Sequence, residues 1–415
     1  MNGLDELSLY ESILQLKYPW SVETVSLEKQ DNQICVQVVR ATSEPLTCPK
    51  CGRTAPGYDH RPRRWRHLDT CQYKTIVQAD IPRVNCPEHG CVTIEVPWAE
   101  ERARFTMLFE CVLIDWLKDT SISAVCRHFK ISWTAVDGIM HRAVARGVSR
   151  RQLTPPTHIC VDEVSVKKGH IYMTIVSSPE GDVLHVAKDR TGNSLNSYYE
   201  TLSDTDKDKL EVISMDMSPA YLAKTLEVIP EAKKKVAFDR FHVAQLINQA
   251  VDLVRKQEAK TYHAELKESG LLGNRFLWLK SSDKLTAKQK KSLRSMSCIA
   301  NKTGRAWMLK EHAKQLWGYE TRGWAERGWQ RWYLRAVRSR LKPFKRVATS
   351  IKKNLWGIIN AIVLNANNGM AESINSKIKL LKSRARGFRN SERFKTAVMF
   401  YCGKLDLYPL THSNR

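Results

Sequence analysis

The sequence predicts a multidomain α+β protein: a small β-rich domain carrying paired cysteines, a helix-turn-helix domain, and an α/β core interrupted by an all-helical insertion. Three observations predict it. Two cysteine pairs, Cys48/Cys51 and Cys86/Cys91, flank short strand-like runs. Two helical segments separated by a three-residue break follow, from Phe105 onward. From His158 three strand-like runs lead into alternating helix and strand, until a basic, tryptophan-rich helical stretch breaks the pattern. The expected divisions are 1–45, an N-terminal arm; 46–98, the cysteine-bearing domain; 99–153, the helix-turn-helix; 154–261, the first part of the core; 262–355, the insertion; and 356–415, the last part of the core with a final helix.

The arm reads as a short helix, Leu4 to Leu16, and a strand, Ile34 to Val39. Cys48-Pro49-Lys50-Cys51-Gly52 is a thiolate knuckle with a glycine for the tight turn, and Cys86-Pro87-Glu88-His89-Gly90-Cys91 is the second. Two such knuckles supply four soft ligands, which suits structural Zn²⁺: Cys48, Cys51, Cys86 and Cys91, with His89 competing for the fourth place. Between them Arg61, Arg63, Arg64, Trp65 and Arg66 form a basic-aromatic loop, and Arg63 and Arg64 are candidates for phosphate contact.

Phe105 to Lys118 carries apolar residues at helical spacing. Ser121 to Phe129 and Trp133 to Ala145 follow, the second capped by Ser132. In helix-turn-helix geometry that second helix enters the major groove, with Trp133 and Thr134 leading and Arg142 and Arg146 near phosphates. Thr154-Pro155-Pro156-Thr157 is a stiff linker.

In the core, Ile159 to Val166, Ile171 to Val176 and Asp182 to Ala187 read as three strands, with Gly169 in the first turn. Two further strands, Val212 to Met215 and Lys235 to Phe238, alternate with helices. A meander of three strands followed by alternating β and α is the order of a ribonuclease-H-like core, in which the first and fourth strands are neighbours. Asp162 and Asp216 then stand side by side. Residues 275–355 hold 22 basic and four acidic side chains, and seven of the twelve tryptophans lie between Trp278 and Trp356. That charge suits a nucleic-acid backbone, while most of the tryptophans are expected to build the insertion's own core. Ile374, Ile378 and Leu381 mark one buried helical face beginning near Glu372, with Lys377, Lys379 and Arg384 on other faces.

The chain as a whole has 67 basic and 43 acidic side chains, a net charge of +24. That sign favours a polyanionic partner, most simply nucleic acid, and the helix-turn-helix reading makes it double-stranded DNA. Clustered rather than dispersed cysteines fit a reducing compartment, and no run of about 18 apolar residues suggests a membrane span. A cytoplasmic protein is expected.

Cutting a phosphodiester needs a polarised attacking oxygen and a stabilised leaving oxygen. Two Mg²⁺ (or Mn²⁺) ions held by carboxylates supply both. Asp162, Asp216 and Glu372 are the expected triad, with Asp162 shared. Glu163, Asp239 and His242 are candidates for accessory roles. Asp162 lies between apolar residues in a strand, and an unpaired carboxylate there is costly.

Four stretches together resemble the ISL-three family of bacterial insertion-sequence transposases. They are the two cysteine knuckles; Val161-Asp162-Glu163; Asp239-Arg240-Phe241-His242-Val243; and Asn368-Gly369-Met370-Ala371-Glu372 through Gly387-Phe388-Arg389-Asn390. The resemblance implies a DDE core, binding to terminal inverted repeats and target DNA, metal-dependent cleavage and strand transfer, and pairing of two ends by a homodimer or larger assembly in the bacterial nucleoid. It places the family triad on Asp162, Asp216 and Glu372, Asp216 on the loosest motif. A regulator with a retired core, and a structure-specific nuclease that does not join ends, are the alternatives.

Overall fold

The computed structural model describes residues 5–151, 156–167, 171–266, 275–366, 369–385, 387–388 and 390–409, with the side chains of 167, 262–266, 298–299 and 370–372 left outside. The linker at 154–155, Gly169, Asn368, Arg386 and Arg389 fall outside the described residues. The chain divides into two compact units, Met1–Arg151 with Leu405–Arg415, and Gln152–Lys404.

The first unit opens with α1 (Glu6–Leu14), capped by Asp5, and strands β1 (Trp20–Glu28) and β2 (Gln33–Arg40). Strands β3 (Gly57–Arg66), β4 (Lys74–Cys86) and β5 (Gly90–Thr93) follow. All five form one sheet in the order β1-β2-β4-β3, with β5 also on β4. The first 45 residues are therefore more than an arm: Gln33 to Gln37 of β2 pair in parallel with Lys74 to Gln78 of β4. The expected loop around Arg63 and Arg64 is strand β3, because it pairs along its length with the alternating apolar β4. Trp20 and Trp65 each pack edge-on against Trp98, with ring centroids 5.0 and 5.4 Å apart. This buries the apolar side of the sheet.

Helices α2 (Met107–Asp119), α3 (Ile122–Phe129) and α4 (Trp133–Arg150) complete that unit. Thr106, Ser121 and Ser132 each accept a backbone N–H of the following first turn, which fixes all three starts. Lys130 takes a left-handed conformation, φ 52°, at the end of α3 and turns the chain into α4.

The second unit is built on β6 (His158–Lys167), β7 (Ile171–Ser177), β8 (Val183–Lys188), β9 (Val212–Met215) and β10 (Val236–Phe238), in the order β10-β9-β6-β7-β8. β6, β7 and β8 are antiparallel neighbours; β6, β9 and β10 run parallel. Between β8 and β10 lie α5 (Gly192–Tyr199), α6 (Asp204–Lys209), α7 (Pro219–Val228) and α8 (Ala232–Lys235). The parallel strands read as continuous apolar runs because both faces are covered.

Helix α9 (Arg240–Leu266) starts directly after β10 and runs past the boundary expected at residue 261. Helices α10 (Arg275–Leu279), α11 (Ala287–Ile299), α12 (Asn301–Gln315), α13 (Arg322–Arg338) and α14 (Lys342–Lys353) follow, then α15 (Leu355–Val363), α16 (Gly369–Arg384) and α17 (Ser391–Cys402). Trp278, Trp329 and Trp332 are fully buried in the helical region, whereas Trp324 is exposed beneath the Arg327 guanidinium. Buried Asn360 of α15 donates to the carbonyls of Lys233 and Val236, at 2.8 and 2.9 Å, and so ties α15 to the start of β10.

Candidate active site and thiol cluster

Sheet register brings the carboxylates together. β6 and β9 pair His158 with Val212, Ile159 with Ile213 and Cys160 with Ser214. β9 and β10 pair Ile213 with Val236, Ser214 with Ala237 and Met215 with Phe238. Continuing that register sets Asp162, in the middle of β6, in one row with Asp216 and Asp239, which directly follow the ends of β9 and β10. The Asp239 N–H donates to the Met215 carbonyl at 2.8 Å, so the row holds at its outer edge. One row on a pleated sheet shares one face, so three acids converge where β9 and β10 end beside the middle of β6.

Their electrostatics show the crowding. Burial raises Asp162 above the usual carboxylate range and the Asp239 charge adds to it, against the Glu163 N–H, His242 and the Asn375 amide. Burial likewise raises Asp216, reinforced by Glu163 and Asp239 and opposed by His242 and the Ser218 N–H. His242 lies among these acids and is raised, first by its hydrogen bond to Asp239, then by the charges of Asp162 and Asp216. Its Nδ1 donates to Asp239 Oδ2 at 2.9 Å, and Phe241 N donates to Asp239 Oδ1 at 2.9 Å. Both Asp239 oxygens are thus engaged within the first turn of α9. Glu163 faces Arg190, at 3.3 Å.

Helix α16 packs on β6 and brings Asn375 to Asp162, its Nδ2 donating to Oδ2 at 2.5 Å. Lys382 Nζ donates to the Ser165 carbonyl at 2.7 Å and pins the same helix farther along. Glu372 lies on the backbone of α16, three positions before Asn375; its side chain is outside the described residues. Asn375 had no role in the sequence reading. Its place one helical turn after Glu372 was the available signal. Lys377, Lys379 and Arg384 are exposed on this helix.

In the first unit, Cys48, Cys51, Cys86 and His89 bring their ligand atoms within 4.8 Å of one another. Sγ of Cys51 and Cys86 are 3.7 Å apart, and His89 Nδ1 lies 3.8 Å from Cys48 Sγ and 3.6 Å from Cys86 Sγ. A tetrahedron with metal–sulfur bonds of about 2.3 Å has edges of about 3.7 Å, so these donors fit Zn²⁺. Cys91 lies outside the group: it is exposed in β5, opposite Asn85, beyond the Gly90 turn. Burial works against the Cys48 thiolate, but the N–H groups of Lys50 and Cys51 and the neighbouring thiols outweigh it, lowering Cys48 to about 7.

The groove-facing candidates separate in two. Trp133 and Thr134 are exposed at the start of α4, and Arg64 is exposed on β3. Arg63 donates to the Ala103 carbonyl at 3.0 Å and lies over Trp65. Arg142 and Arg146 point inward. Arg146 is buried and holds Glu100 through Nε and Nη2, at 2.7 and 2.8 Å, and donates to the Leu407 carbonyl. Arg142 pairs with buried Glu110. A buried carboxylate needs a cation, and these two arginines supply it instead of reaching a phosphate.

A family model described as transposase matches residues 159–398, which makes the chain a transposase. The chain belongs to the ISL3 family. The model for the helix-turn-helix domain of transposase family ISL3 matches 94–144, and that for the zinc-finger of transposases IS204/IS1001/IS1096/IS1165 matches 44–91. The transposase for insertion sequence element IS1001 of Bordetella parapertussis is 25% identical over 380 residues, covering 90% of this chain and 93% of that protein. The transposase for IS1557 of Mycobacterium tuberculosis is 27% identical, covering 98% of each. No solved structure matches the chain. Among the described residues no helix is long and apolar enough to cross a membrane.

Proposed function

We propose that this transposase binds the terminal inverted repeats of its insertion sequence and cuts and joins DNA at the row of acids formed by Asp162 within β6 and the residues that follow β9 and β10. The observation that carries this is the shared register of Asp162, Asp216 and Asp239, whose crowding leaves a buried site in want of positive charge. The strand order β10-β9-β6-β7-β8 supports a ribonuclease-H-like core, and the helices from α9 to α14 support an inserted helical region.

Asp162 and Asp216, with Glu372 from α16, would hold two divalent ions, Mg²⁺ or Mn²⁺; bound there, they activate the attacking oxygen and stabilise the leaving one. Asn375 and the Glu163 N–H each hold one oxygen of the Asp162 carboxylate, and each oxygen keeps a second lone pair for a metal. Asp239, paired with the His242 ring at 2.9 Å, positions that ring rather than serving as a metal ligand. Cys48, Cys51, Cys86 and His89 would hold structural Zn²⁺ and stiffen the sheet beneath the helix-turn-helix. Trp133, Thr134, Arg64, Lys377, Lys379 and Arg384 offer DNA contacts, and two copies would pair the two ends.

Incubating the protein with duplex carrying the element's end, a target plasmid and Mg²⁺ tests this. Joined products in the wild type, absent with Asp162→Ala, support it. Cleaved but never joined ends would favour a nuclease, and binding without cleavage a regulator.

A further inference from the structure

A cavity of about 230 Å³ opens beside the acid row. It is smaller than the ~300–1,000 Å³ of sites for drug-sized ligands and so suits a single ring system. Its walls come from one face of α9, where Arg240 and Asn248 lie eight residues apart with Ile247 between, and from Leu279, Ala313 and Trp317. Arg240 directly follows Asp239, so one wall of the cavity begins next to the acid row. The Arg240 guanidinium lies 5.6 Å from the Trp317 ring centroid, and Lys314, which also lines the cavity, is paired with Asp283.

The interior is mostly apolar, yet Asn248 lines it with a buried side-chain oxygen that has no hydrogen-bond partner. A buried acceptor left unpaired in a folded protein calls for a ligand that donates. Lys310 and Glu311 also line it, and they pair with each other at 3.0 Å.

We propose that this cavity takes one nucleobase of the bound DNA, turned out of the helical stack next to the bond being cut. The proposal rests on the reading of the acid row as a DNA-cutting centre. Every base presents an N–H on its pairing edge, which Asn248 can accept; every base has a π-face, which the Trp317–Arg240 wall can cover. The Arg240 guanidinium matches a phosphate beside an extruded nucleotide. A base drawn into the cavity would hold the backbone bent at the site and set the cleaved phosphate over the acids.

The test uses the full-length protein and end duplexes carrying 2-aminopurine in turn at each position flanking the cleaved bond. Ala244 lies exposed on the same face of α9 and lines the cavity, so Ala244→Trp fills it from the solvent side. Asn248→Leu removes the acceptor without shortening the side chain. The expected result is a several-fold fluorescence rise at one position on wild-type binding, lost in both variants, with end binding weakened about tenfold in Ala244→Trp. The proposal is overturned if the wild type binds and cuts with no rise anywhere, or if the rise persists in both variants. If the wild type neither binds nor cuts these ends, it is the DNA-cutting reading itself that fails.

Discussion

Gly357 lies in α15 against the strand that precedes the acid row, and Gly357→Ala probes how tightly that row is held. A Cβ built there meets the Phe238 ring at 2.4 and 2.5 Å, where ordinary contact begins at 3.4 Å. The ring must retreat by about 1 Å. It has nowhere to go, because Phe238 is fully buried and packs edge-on against Trp356 at 5.3 Å. Overpacking of this kind costs about 1–3 kcal/mol, partly offset by the ~1 kcal/mol that alanine gains over glycine in a helix. The net expectation is a loss of up to about 2 kcal/mol, or up to about 8 °C in the melting temperature of this unit. Phe238 ends a three-residue strand and Asp239 follows it. A displacement of about 1 Å there should lower cleavage by about a hundredfold, more than the stability loss explains. Phe238→Leu in the same chain should restore part of both. Gly323→Ala is the control: its Cβ meets only Arg327, at 3.9 Å, and should raise stability by about 0.5–1 kcal/mol. Calorimetry and an end-cleavage time course read both effects. Wild-type melting and cleavage in Gly357→Ala would refute the rigid link from α15 through Phe238 to Asp239.

Other outcomes follow from the same geometry. Arg146→Ala leaves Glu110 and Glu100 short of a cation inside the first unit and should cost about 3–5 kcal/mol, seen as a large fall in melting temperature. Trp133→Ala should leave that melting temperature nearly unchanged and weaken DNA binding in a mobility-shift assay. Buried His67 is held neutral, lowered to about 4 from 6.5 chiefly by burial and then by Arg66. The unfolded chain therefore binds the extra proton between pH 6.5 and 4. Stability of the first unit should fall by about 3 kcal/mol as pH drops through that window, and His67→Gln should flatten the slope in denaturant titrations. Chelation of zinc, or Cys48→Ser, should unfold the β4–β5 end of the first sheet and weaken end binding while the second unit keeps its own melting transition. Unchanged metal content in Cys48→Ser would overturn the ligand assignment.

The core was the most legible part because its strands carry their order in the chain. Three antiparallel runs followed by alternating helices and strands leave few arrangements, and the neighbouring of β6 and β9 followed directly. Register was what the sequence could not supply: only pairing of Met215 with Phe238 shows that Asp239 belongs to the same row as Asp162 and Asp216. The inward turn of Arg142 and Arg146 was illegible for a related reason. Their partners, Glu110 and Glu100, are 32 and 46 residues away, and a basic helix face looks alike whether it meets a phosphate or a buried acid. Strand β1 was missed because its outward positions carry Ser and Glu, leaving a weak apolar alternation. His89 and Cys91 could not be separated by spacing, since the Gly90 turn decides which donor stays with the thiols.

Replacing one acid at a time by cysteine tests the central claim most directly. A thiolate is a poor ligand for Mg²⁺ and a better one for Mn²⁺, so a direct metal ligand shows itself by rescue. Cleavage of end duplex should vanish in Mg²⁺ for Asp162→Cys, Asp216→Cys and Glu372→Cys and return in part with Mn²⁺. Asp239→Cys should not be rescued, because its oxygens serve His242 and the α9 backbone. Rescue at Asp239 but not at Asp216, or full Mg²⁺ activity in any of the first three, would contradict the account.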